Sequence, residues 1–186
     1  MASFGQSHSQ SHELESADTM IQVYTGNGKG KTTAALGLAV RAAGQGLKVY
    51  IGQFLKGRNY GELRVLKKIK NIKVEQFGRA CFIKKRPSQR DLELAKKGLE
   101  KIKKVIFKRT YDIVILDEVN IALNLGLIKL KDIMLLIKNT PKKIELVLTG
   151  RYAHPKIIKI ADLVSQIKAV KHYYKKGIKA RKGIEL

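Results

Sequence analysis

Tryptophan is absent from this 186-residue chain, cysteine occurs once and proline three times. A single cysteine, Cys81, excludes an internal disulfide and suits the reducing cytoplasm, the expected compartment. It is read as a thiol with no redox role. No run of eighteen apolar residues occurs, so no membrane-spanning helix and no membrane partner are expected. The N-terminus has no basic start followed by an apolar block, so no secretory signal is expected. Negative charge is also scarce: 15 Asp and Glu stand against 38 Lys and Arg, a formal net charge of +23. Such a surface can attract nucleic acid, anionic lipid or a polyanionic ligand. The lysines are spread along the chain rather than gathered in one arm, which reads as a solvated basic surface.

What is present suits one globular domain. The chain is 44% apolar and long enough to bury a real core. Residues 1–19 stand apart: they are rich in Ser, Gln and His, carry Glu13, Glu15 and Asp18, and contain no Lys or Arg. They are expected to be a disordered tail or an added leader, with His8 and His12 incidental, ahead of a domain at 20–186.

From Met20 the chain alternates between two periods. Short runs rich in Val and Ile read as buried parallel strands: "MIQVYT" (20–25), "KVYIGQF" (48–54), "IKVEQF" (72–77), "DIVILD" (112–117), "IELVLT" (144–149) and "DLVSQI" (162–167). Helices are predicted between them, at Lys31–Ala43, Ile128–Lys138 and Pro155–Ala161. In a further helix Leu92, Ala95, Leu99, Ile102 and Ile106 step by three and four along one apolar face. The expected fold is α/β, a three-layer P-loop (RecA-like) domain with a mostly parallel sheet of about six strands. Ligands in such sheets bind at the carboxyl ends of strands, so the residues just after each strand are the candidates.

After the first strand comes "TGNGKGKTT", Thr25 to Thr33. The usual phosphate loop, G-x-x-x-x-G-K-[ST], would start with glycine where Thr25 stands; Gly26 can make the turn one residue later. Glycines at 26, 28 and 30 let backbone N–H groups curl toward phosphate, and a helix begins at the same place. Lys31 adds a full charge and the Thr32 hydroxyl can ligate Mg²⁺. After the fourth strand come Asp117 and Glu118, the acidic partner of such a loop, able to hold Mg²⁺ directly or through water. Arg151 follows the fifth strand and can neutralise phosphate; His154-Pro155 beyond it can cap the next helix. Gln53, Phe54, Lys56 and Gly57 after the second strand, and Phe77, Arg79 and Phe82 after the third, could line a second ligand site. Taken alone, Phe54 and Phe82 read more readily as core than as ligand contacts.

These residues together resemble one family. "TGNGKGKTTAALGLAVRAAGQGLKV", "QFLKG", "DIVILDEVNIALNLGLI", "LVLTGR" and the ending "VKHYYKKGIKARKGIEL" are similar to the ATP:corrinoid adenosyltransferases of the cobalamin pathway, over Ile21 to the C-terminus. That family carries G-N-G-K-G-K-T-T with the same absent first glycine. The resemblance implies that a reduced Co(I) corrinoid attacks the 5′-carbon of ATP and inorganic triphosphate leaves. It implies a nucleotide lying reversed in the loop, so that the 5′-carbon points at the corrinoid. It places Asn27, Gly28, Lys29, Gly30, Lys31, Thr32 and Thr33 around the triphosphate, with Arg41 and Arg151 as further contacts. Lys31 and Glu118 become the residues expected to matter for turnover. Thr32 and Glu118, with Asp117 through water, would hold Mg²⁺ or Mn²⁺, and Phe54 and Phe82 would face the corrinoid. A homodimer and a flavoprotein reductant are implied as partners.

One position departs from the family. Relatives often show Gly-Phe-x-Trp, an aromatic pair that crowds the lower face of the corrinoid and displaces its axial ligand. Here "CFIKK" keeps Phe82 and puts Lys84 where tryptophan would stand. Two rival readings remain from the residues alone. The +23 charge with Asp117-Glu118 suits a RecA-like ATPase driven by nucleic acid, although Tyr173-Tyr174 is a thin stacking surface and nucleic acid is not the expected partner. A small-molecule kinase would also use such a loop.

Overall fold

The computed structural model describes residues 20–81 and 86–185. The leader 1–19 and the positions Phe82 and Lys84 therefore lie outside the described residues. Six strands form one sheet in the order β3-β2-β4-β5-β1-β6, and every pairing is parallel. The strands are β1 (Ile21–Thr25), β2 (Val49–Phe54), β3 (Ile72–Phe77), β4 (Ile113–Asp117), β5 (Glu145–Thr149) and β6 (Leu163–Gln166). Between them run α1 (Lys31–Gly44), α2 (Gly61–Leu66), α3 (Gln89–Lys108), α4 (Val119–Asn124), α5 (Leu130–Lys138) and α6 (Pro155–Ile160); a 3-10 turn, Tyr173–Lys176, follows. Among the described residues no helix is long and apolar enough to cross a membrane.

The central strands alternate side chains between two cores. On β4, Ile113 and Ile115 pack in one cluster with Ala35, Ala39 and Ala42 of α1. Val114 and Leu116 pack in the other with Ile102 of α3 and Ile133 of α5. Both faces are covered, so all five residues of β4 are buried and the strand reads as one apolar run. The small alanines on α1 let that helix lie close to the sheet, and this carries its N-terminus to the end of β1.

Three details differ from the sequence reading. β6 is an edge strand, paired only with β1, and its four residues are all exposed, with Leu163 at 44% and Val164 at 41%. Leu92 is 39% exposed; in the first turn of α3 the inward position is taken by Asp91, which forms a capping box with Ser88. Residues 128 and 129 precede α5 rather than opening it; Ile128 is buried in the same cluster as Ile133, five residues on, as a hydrophobic staple would be. The short helix α2 carries no run long enough to show its period.

Candidate functional site

All the strands point their carboxyl ends the same way, so the loops leaving β1, β2, β4 and β5 meet at one edge. The loop after β1 is held from above by the chain leaving β6. A Cβ on Gly26 would lie 2.4 Å from the carbonyl oxygen of Ile167, and one on Gly28 would lie 2.8 Å from it. The Gly28 amide donates to that same oxygen at 2.8 Å. Gly26 and Gly30 take positive φ angles of 96° and 121°, which a side chain would resist. Gly30 caps α1, and the Lys31 side chain folds back over the loop, donating to the carbonyls of Gly26 at 2.8 Å and Gly28 at 2.6 Å. Burial pushes the Lys31 pKa down; Glu118 partly opposes this and Arg151 adds to it.

Asp117, at the end of β4, is fully buried and surrounded by donors. Thr32 Oγ1 and Thr149 Oγ1 donate to Oδ1 at 2.9 and 2.7 Å. Lys56 Nζ and Gln53 Nε2 donate to Oδ2 at 2.8 and 3.2 Å. Gln53 is the direct register partner of Asp117 across the β2–β4 ladder. With its proton given to Asp117, the Thr32 hydroxyl keeps lone pairs for another ligand.

Glu118 is arranged differently. Its backbone is left-handed, φ 61° and ψ 17°, at the N-cap of α4, and its amide donates to Thr149 Oγ1 at 2.9 Å. A non-glycine residue held there costs energy that the surroundings must supply. Its Oε2 is buried and, among the described residues, has no hydrogen-bond partner. Burial raises its pKa and the neighbouring Asp117 raises it further, against Lys56, Lys31 and Arg151. A buried carboxylate oxygen without a donor suits a hard cation, and the Thr32 hydroxyl adds a second oxygen. These residues fit a Mg²⁺ or Mn²⁺ ion whose remaining ligands come from phosphate and water.

The other expected residues are placed in different ways. Arg151 joins Thr25, Gly26 and Asn27 in lining a cavity of about 630 Å³ beside the loop. Thr33 is exposed on the first turn of α1. Asn27 and Lys29 are engaged by the C-terminal segment: Asn27 Oδ1 accepts from the Ala169 amide at 3.0 Å, and Lys29 Nζ lies 2.7 Å from both Tyr173 Oη and Glu185 Oε1. Arg181, Lys29 and Tyr173 together hold the Glu185 carboxyl well below the usual range. The structure does not bring Arg41 or Phe54 to the site. Arg41 sits in the last turn of α1, about 15 Å along the helix from Lys31. Phe54 is fully buried in the core, its ring 6.0 Å from that of Phe77, because the alternation of β2 turns it toward α3. His154 caps α6, with Nδ1 accepting from the Lys156 amide at 3.1 Å.

The sequence alone does not mark Thr149, and it offers Gln53 and Lys56 only as lining for a second site. The signal available was a polar residue at or next to the last position of a largely apolar strand, at Thr149 and at Gln53.

The arrangement grips a polyphosphate and a cation, and it offers no paired base and nucleophile among the described residues. Residues 17–186 match the family model described as "ATP:corrinoid adenosyltransferase BtuR/CobO/CobP". The chain is 35% identical over 168 residues to a protein of Pseudomonas aeruginosa named corrinoid adenosyltransferase, covering 89% of this chain and 83% of that one. It is 32% identical over 166 residues to the corrinoid adenosyltransferase of Escherichia coli K12, covering 89% and 85%. The corresponding Salmonella typhimurium protein is 31% identical over 166 residues, with the same coverage. The fold, the loop of the family's own form and these matches agree, and the chain belongs to the ATP:corrinoid adenosyltransferase family.

Proposed function

We propose that the chain transfers the 5′-deoxyadenosyl group of ATP to the Co(I) of a corrinoid, in the synthesis or salvage of adenosylcobalamin. The Co(I) electron pair forms the cobalt–carbon bond at C5′. The C5′–O bond breaks and its electrons leave on triphosphate. No proton has to move, so the protein needs no general base. The observation that carries this reading is the G-N-G-K-G-K-T-T loop closing on Lys31, with the bare Glu118 oxygen opposite it.

The protein then works by position and by stabilising the leaving group. The loop residues 27–33, with Arg151, hold the triphosphate. Lys31 exchanges its carbonyl partners for phosphate oxygens. Thr32 and Glu118 hold Mg²⁺ or Mn²⁺, while Asp117 orients the Thr32 hydroxyl. A bound divalent ion supplies charge for the departing triphosphate. Orientation contributes on the order of 7–11 kcal/mol. Each preorganised donor on the developing charge adds roughly 3–4 kcal/mol. Phe82 faces the lower side of the corrinoid, by the family resemblance alone. A homodimer, a flavoprotein reductant and a cytoplasmic setting complete the proposal.

The test is to mix purified protein with ATP and chemically reduced cobalamin. Adenosylcobalamin and triphosphate should appear in equal amounts. ADP without adenosylcobalamin would overturn the reading, in favour of the ATPase if phosphate is free and the kinase if it is on an acceptor.

A further inference from the structure

β2 ends at Phe54 and the chain turns at once through Leu55, whose φ is 60°. This turn is clamped against the exit of β3. A Cβ on Gly57 would lie 2.3 Å from the Gly78 carbonyl oxygen, and one on Gly78 would lie 2.5 Å from the Lys56 nitrogen. The two loops meet backbone against backbone, so the root of the Lys56 side chain is fixed. Its head runs inward, only 16% of the side chain remaining exposed. Nζ reaches Asp117 Oδ2 at 2.8 Å and Thr32 Oγ1 at 3.3 Å. The Tyr60 ring covers it at 5.7 Å. Burial alone would lower its pKa, but Asp117 by charge and hydrogen bond, and then Glu118, raise it.

The ammonium therefore touches the hydroxyl that the cation site presents and the Asp117 carboxylate that orients it. Two cations so close would repel strongly in a shielded pocket. We propose that Lys56 is a resident counter-cation: its ammonium, paired with Asp117 and in reach of the Thr32 hydroxyl, borders the divalent-cation position and is displaced when metal arrives with nucleotide. This rests on the metal reading above. Displacement makes metal binding weak alone and strong with triphosphate, because the released ammonium finds phosphate oxygens to pair with. Metal and nucleotide become positively coupled through one side chain.

Lys56→Met keeps the unbranched length and removes the charge; Lys56→Gln is a second neutral variant that can still donate to Asp117. Binding of Mn²⁺ alone is read from the electron paramagnetic resonance signal of the free ion. Both variants should bind Mn²⁺ about tenfold or more tightly than the wild type without nucleotide, a coupling within the usual range. Adding Glu118→Gln to Lys56→Met should abolish that gain. Lys31→Met removes a charge from the same neighbourhood and should not reproduce it. Unchanged or weaker Mn²⁺ binding in folded Lys56 variants, or an equal gain in Lys31→Met, overturns the proposal. In wild type, ATP should raise the melting temperature more with Mg²⁺ than with EDTA. If the two shifts are equal, the metal reading fails and this proposal falls with it. If Mg²⁺ matters but the Lys56 variants gain nothing, this proposal alone falls.

Discussion

The Thr149 hydroxyl donates to Asp117 Oδ1 at 2.7 Å, and its own Oγ1 accepts the amide of Glu118 at 2.9 Å. One side chain from β5 thereby fixes both members of the acidic pair. It anchors the first by its carboxylate and the second by its backbone turn. Thr149→Val keeps the shape and removes both bonds. It should destabilise the protein by about 1–3 kcal/mol, the cost of leaving buried polar groups unpaired. It should also raise the Mg²⁺ concentration needed for half-maximal turnover, whereas Thr149→Ser should stay near wild type in both. Thermal unfolding and a Mg²⁺ titration of activity check this.

Lys31 and Glu118 are expected to fail in different ways. Lys31→Ala should abolish adenosyl transfer, since it removes the charge that meets the leaving triphosphate, with the fold retained by circular dichroism. Glu118→Ala should mainly raise the metal requirement, so excess Mn²⁺ should recover part of its rate. If excess metal recovers Lys31→Ala instead, the assigned roles are wrong.

Asp91 sets an acid limit on stability. Arg79 Nε and Nη2 donate to its two oxygens at 2.7 and 2.8 Å, and the Ser88 amide and hydroxyl add further bonds. Arg79 first, then Ser88, lower its pKa from 3.8 to about 2 against the effect of burial. A folded value below the unfolded one means the stabilisation is present above the unfolded pKa and is lost as pH falls from near 4 through about 2. Asp91→Asn should cost about 1–2 kcal/mol at neutral pH, allowing for solvent around Arg79, and should flatten the stability curve between those pH values. Urea unfolding across pH 2–5 measures both.

Phe82 is tested by the oxidation state supplied. Phe82→Ala should slow transfer from Co(II) with a reductant far more than transfer from preformed Co(I). Equal loss in both assays excludes a role in displacing the axial ligand.

Much of the fold could be read in the sequence because its signals are local. Six apolar runs gave six strands within a residue or two, and the loop after β1 announced its own chemistry. The failures share a cause. Leu92 obeys the period of α3 but lies in its first turn, where Asp91 takes the inward position, and β6 looks like a buried strand but lies exposed at the sheet edge. Arg41 and Phe54 are implied at the site by the family resemblance, not by a local pattern. Helix rise carries the first away from the loop, and strand alternation turns the second into the core.

By itself the sequence determined the elements, the phosphate loop and the family, since periodicity, turn chemistry and motif spacing all act over a few residues. Only the tertiary structure decided what surrounds Asp117. Setting β4 between β2 and β5 brings Lys56 from 61 residues away and Thr149 from 32 to the same carboxylate. Strand order is a choice among long-range pairings that no local pattern encodes. That order separates an aspartate saturated by four donors from a glutamate left with a bare oxygen.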